Sequence, residues 1–86
     1  MEEEILDKLE EKYRRIRFKI TMLELNRKYI IYKLESSIKI TDFSRGIMSI
    51  GFTFNFRYER ELTLDANLND IMYKIDKYIV KLFKGE

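Results

Sequence analysis

Apolar and polar residues alternate without a break near the centre of the chain. Met48, Ile50, Phe52, Phe54, Phe56 and Tyr58 fall at even positions, with Ser49, Gly51, Thr53, Asn55, Arg57 and Glu59 between and after them. A β-strand sends successive side chains to opposite faces, so this spacing predicts one long strand over residues 47–60 with an apolar and a polar face. Residues 47–59 alone extend about 43 Å at about 3.3 Å per residue, and their backbone donors and acceptors need a partner of similar length.

Two other segments follow a helical period. Ile5, Leu6, Leu9 and Tyr13 recur at helical spacing behind a run of acids, which predicts a helix over residues 2–14. Leu68, Ile71, Met72, Ile75, Tyr78, Ile79 and Leu82 form one stripe and predict a helix over 66–84, with Asp65 or Asn67 as its N-cap. Its opposite face carries Lys74, Lys77, Lys81 and Asp70.

Residues 15–43 fit two templates. As a helix they continue a heptad through Leu6, Leu9, Tyr13, Ile16, Ile20, Leu23, Ile30 and Leu34, giving a long N-terminal coiled-coil helix, a β-hairpin and a C-terminal helix. As strands over 15–25 and 28–43 they form two period-two series, Ile16 to Met22 and Ile30 to Ile40.

The long strand decides between them, because a helix through residue 36 leaves half of it as a naked apolar edge. A turn at Ser44-Arg45-Gly46, with glycine in the left-handed position, sets Phe43 opposite Ile47. Ile40 then meets Ile50, Ile38 meets Phe52, Leu34 meets Phe56 and Tyr32 meets Tyr58. On the other face Ser37 meets Thr53, with Lys33 against Arg57 as one like-charge mismatch. A second turn at Asn26-Arg27, with Asn in the left-handed conformation, returns residues 15–25.

The expected fold is α+β: a two-layer α-β-β-β-α domain over residues 1–86, a three-stranded antiparallel meander with both helices on one face. This element order resembles that of the double-stranded-RNA-binding domain. The corresponding loops read Leu25-Asn26-Arg27-Lys28 and Leu64-Asp65-Ala66-Asn67, without that family's Gly-Pro-x-His or Lys-Lys-x-Ala-Lys, so the likeness transfers no functional residue.

Composition narrows the chemistry. There is no Cys, His, Trp, Pro or Gln among the 86 residues, which removes disulfides, thiolate and imidazole metal sites and the commonest nucleophile-base pairs. Three glycines make no phosphate-binding loop. No catalytic residue, cofactor, metal or small-molecule substrate is implied, and the chain is expected not to be an enzyme.

Few thermolabile residues with dense mixed charge is a thermophile bias, which suggests a small accessory or inhibitory protein of a thermophile or its virus. No apolar run approaches ~20 residues and no segment resembles a signal peptide, so a cytoplasmic location is expected, the host's cytoplasm if the protein is viral.

A chain of this size buries only about 60% of its unfolded surface, and self-association is a common remedy. Leu23, Leu25, Tyr29, Ile31, Phe43 and Ile47 fall on the outward side in this register and are the candidate homodimer or partner surface. Charge offers a second reading. Residues 1–12 sum to −4, residues 13–33 to +6 and residues 34–86 to zero. Arg15, Arg17, Lys19, Lys39 and Arg57 gather on the open sheet face and are candidate nucleic-acid phosphate contacts.

Overall fold

The computed structural model describes residues 1–42, 44 and 46–83. Its elements run α1 (Glu2–Lys12), β1 (Ile16–Leu25), β2 (Tyr29–Asp42), β3 (Gly46–Glu59) and α2 (Leu64–Phe83). The strands form one antiparallel sheet in the order β1-β2-β3, and the long N-terminal coiled-coil helix does not form.

Three glutamates fill the first turn of α1 and Lys12 its last, each complementing the helix dipole. The helix ends two residues earlier than its periodicity suggests. Tyr13 leaves the helical region (φ −114°, ψ 72°) while its N–H still donates to the Leu9 carbonyl at 2.8 Å. The Ile16 N–H then donates to the Tyr13 carbonyl at 3.1 Å, so Arg15 lies in a tight turn and not on β1.

α2 starts two residues earlier than expected, because neither Asp65 nor Asn67 caps it. Thr63 does: its Oγ1 accepts from the Ala66 N–H at 3.2 Å. The expected end of this helix at Lys84 and the hairpin residues Phe43 and Arg45 lie outside the described residues.

The β2–β3 ladder is shifted by two residues from the sequence-based register. Asp42 pairs Gly46, Ile38 pairs Ile50, Ser36 pairs Phe52, Leu34 pairs Phe54, Tyr32 pairs Phe56 and Ile30 pairs Tyr58. Gly46 keeps the expected positive φ of 85° but closes the ladder as a residue paired with Asp42 and not as part of the turn.

A slip of two preserves the faces, so Tyr32, Leu34, Ile38, Phe52, Phe56 and Tyr58 are buried as expected. Contacts on the outer face and along the ladder itself accompany the observed register. It removes the like-charge mismatch, since Lys33 now faces Asn55 and bonds Glu35 at 3.4 Å. It places Arg57 over the Tyr29 ring, 3.7 Å from the centroid, and 2.6 Å from Glu59. It also presses Gly51 against the Ser36 carbonyl oxygen, which stands so close to where a Cβ would be that only glycine fits. The Ser36 hydroxyl completes this pinch by donating to the Phe52 carbonyl and accepting from the Phe52 N–H, at 3.1 and 3.3 Å.

The β1–β2 turn works differently from expectation. No described residue other than glycine has positive φ. Asn26 acts through its side chain, whose Oδ1 accepts from the Lys28 and Tyr29 N–H groups, both at 2.9 Å. Beyond that turn β1 pairs with β2 from Leu25–Ile30 to Ile16–Ile38, with a bulge between Met22 and Glu24.

Leu23 is the extra residue of this bulge. The bulge reverses the facing of Glu24 and Leu25, so Leu25 lies opposite inward Ile30 and is no longer on the outer register, although it remains 57% exposed.

Ile5 and Leu9 of α1 and Leu68, Ile71 and Ile75 of α2 pack on Ile30, Tyr32, Leu34, Phe52, Phe56 and Tyr58, so both helices cover one face. Tyr78 stacks on Phe52 and Phe54 at 5.1 and 5.5 Å. The Tyr13 hydroxyl ties α1 to α2 by donating to Asp76 Oδ1 at 2.6 Å, and Lys12 approaches the same carboxylate at 3.9 Å. Beyond Ile38 the sheet is a two-stranded ribbon of residues 39–42 and 46–49, and the molecule measures 51 × 21 × 20 Å.

Candidate functional site

The open face is laid out in rows across the sheet, spaced about 7 Å apart by the two-residue repeat. From the ribbon inward they are Lys39–Ser49, Arg17–Ser37–Gly51, Lys19–Glu35–Thr53, Thr21–Lys33–Asn55, Glu24–Ile31–Arg57 and Tyr29–Glu59.

Of the five expected phosphate contacts, Arg17, Lys19 and Lys39 share three neighbouring rows. Arg57 lies three rows beyond Arg17, about 20 Å away, and Arg15 is in the turn before β1. Glu35 sits between Lys19 and Lys33, Glu59 holds Arg57, and Arg17 reaches Glu10 of α1 at 4.0 Å. The face therefore carries mixed charge.

The expected apolar partner surface divides in two. Leu23, Leu25, Tyr29 and Ile31 gather near the Asn26 turn, where Leu23 is half exposed and Tyr29 is covered by Arg57. Ile47, at 73% exposure, lies on the ribbon ten β3 residues from the Arg57 row, roughly 33 Å away. Phe43 lies outside the described residues. The five described residues do not make one surface.

The arrangement that does converge is the outer edge of β3. The Glu59 N–H donates to Asn67 Oδ1 at 2.8 Å and its carbonyl accepts from Asn67 Nδ2 at 2.9 Å, so the Glu59 backbone faces away from β2. In an antiparallel ladder this direction alternates. The N–H and C=O groups of Ile47, Ser49, Gly51, Thr53, Asn55 and Arg57 therefore point to the open edge, while the even residues bond β2. The run Met48–Phe56 has no charge, proline or register shift.

Beside this edge runs a groove of about 470 Å³ lined by Phe54, Asn55, Lys74, Lys77, Tyr78 and Lys81. Phe54 and Asn55 send their side chains to opposite faces, so a groove touching both follows the strand's edge. Lys74, Lys77 and Lys81 form one row of α2 at i, i+3 and i+7, all exposed, spanning about 10 Å. No acidic residue is among the described residues that line the groove.

No family model, curated protein or solved structure matches this chain. The likeness to the double-stranded-RNA-binding domain remains one of element order. Among the described residues no group of three or more acidic side chains could hold a metal ion, and no helix is long and apolar enough to cross a membrane.

Sequence reasoning named the strand and the three lysines but read the strand by its faces and the lysines as a solvent face. The signal for the edge is present in the sequence: nine residues without charge, followed by a helix whose lysines recur on one side.

Two tyrosines are perturbed. Burial, with the Asp76 hydrogen bond and charge, pushes the Tyr13 phenol far above its ordinary value. Tyr32 is raised by burial first and then by Glu2 and Tyr58, with Arg60 opposing. Both belong to the packing between helices and sheet, away from the β3 edge.

Proposed function

We propose that this chain is a small non-enzymatic protein-interaction module whose binding element is the free edge of β3. Added strands bind such edges through main-chain hydrogen bonds, with side-chain contacts giving selectivity. The observation that carries the reading is the row of outward backbone groups from Ile47 to Arg57 on an unbulged strand that is uncharged as far as Phe56, a state natural sheets ordinarily avoid. The residue inventory supports the non-enzymatic part, because His and Cys are absent.

Nucleic-acid binding across the open face is the weaker reading. Its cations are interleaved with Glu35 and Glu59, and among the described residues no ring lies among Arg17, Lys19 and Lys39.

Selection of random displayed peptides on the whole protein tests the edge. Thr53→Pro removes an outward N–H without touching the ladder to β2, a position at which strands accept proline. Peptides retained by the wild type and lost on Thr53→Pro are expected; peptides held equally by both would refute the reading.

A further inference from the structure

We infer that the occupant of the β3 edge is an extended acidic segment, with carboxylates at alternate positions on the side facing α2. The inference rests on the proposed role of the β3 edge and adds the chemistry of the partner. Residues i and i+2 of an added strand share a face about 7 Å apart. The row from Lys74 to Lys81 is about 10 Å long, so it meets two such carboxylates. Phe54 and Tyr78, stacked at 5.5 Å and both lining the groove, offer the apolar floor beneath the stem of the acidic side chain between them.

A second copy of this chain is disfavoured by charge. Two β3 edges paired about a two-fold axis perpendicular to the sheet bring both α2 helices to the same side of the joined sheet. Each lysine row then faces the other, six like charges, with Asp70 one turn before Lys74 on the same side of each helix but not among the described residues that line the groove. An acidic strand replaces that repulsion with attraction. A nucleic acid answers the lysines but not the edge, which alternates donors with acceptors where a phosphate chain needs donors alone.

The test uses the whole protein and three probes: a peptide of about ten residues alternating Glu and Val, the same peptide with Gln for Glu, and a short single-stranded DNA. Amide chemical shifts report where each binds, up to about 1 mM. The acidic peptide is expected to shift the Ile47–Arg57 amides and to bind about tenfold more tightly than the Gln peptide. It should lose most of that margin when salt rises from about 50 to about 500 mM. The triple variant Lys74→Glu, Lys77→Glu, Lys81→Glu, whose side chains are all exposed, should reverse the preference.

Equal binding of the two peptides, with both abolished by Thr53→Pro, overturns the acidic partner and leaves the edge reading intact. Absence of binding by either peptide, or binding that Thr53→Pro leaves unchanged, overturns both. DNA held more tightly than the acidic peptide, through the same lysines, or concentration-dependent dimerisation lost on Thr53→Pro, overturns the acidic peptide in favour of that occupant.

Discussion

The two edges of this sheet are built to opposite rules. β1 is ten residues long, interrupted by the Leu23 bulge and armed with Arg17 and Lys19. β3 is fourteen residues long, pairs without a register shift and carries no charge from Gly46 to Phe56. Bulges and charges are the ordinary means of discouraging a neighbour from adding to a sheet. The same chain applies both to one edge and neither to the Gly46–Phe56 stretch of the other.

Substitutions at adjacent β3 positions should break or sharpen this contrast, and the largest effect is expected at Phe54. Its N–H bonds β2 and its ring packs on Phe52 and Tyr78, so Phe54→Pro should cost more than about 3 kcal/mol. Thr53→Pro, one residue earlier, should cost less than about 1 kcal/mol because its N–H serves no ladder bond. Urea midpoints decide it, and equal losses would place Thr53 on the β2 side.

Next come the two devices that hold β3 in place. Gly51→Ala forces a methyl into the Ser36 carbonyl and should cost about 1–3 kcal/mol. Asn67→Ala strips both hydrogen bonds from the Glu59 backbone and should cost a similar amount, about 1–3 kcal/mol. Native-state hydrogen exchange separates them: Gly51→Ala should open the middle of the β2–β3 ladder, and Asn67→Ala only its end.

The smallest effect concerns pH and belongs to the β1 side. Tyr13 is raised from an ordinary value of 10.0, so the unfolded chain gives up that proton first. The contribution of this phenol to stability should be constant below about pH 10 and be lost steadily above it, as the unfolded phenol ionises and the folded one does not. Tyr13→Phe should flatten part of that decline, and Tyr32 should sustain the remainder. An identical alkaline slope in Tyr13→Phe would remove Tyr13 from this account.

Faces were legible in the sequence and edges were not, for a physical reason. Burial writes itself into residue type at period two, so Phe52, Phe56, Tyr32 and Leu34 announce the core side, and a register error of two leaves that message unchanged. The true register depends on contacts no periodicity records: the Gly51 pinch on Ser36, Arg57 over Tyr29 and Lys33 beside Glu35. The Leu23 bulge hid in the same way, since one extra residue reverses facing without altering composition. Backbone groups at an edge leave only an indirect trace in residue type, the uncharged run from Met48 to Phe56, which the face pattern of the same strand overlies.

Asn67 gives this edge an origin. A smooth strand lets a visitor slide by two residues at little cost, because each position resembles the next. By taking both backbone groups of Glu59, the carboxamide imitates one residue of a neighbouring strand and closes the row. Any added chain must stop abreast of Arg57 and count its positions from that wall. On the proposed edge reading, the lysine row of α2 would be matched to particular places in an added strand, with one asparagine as the zero mark of a ruler.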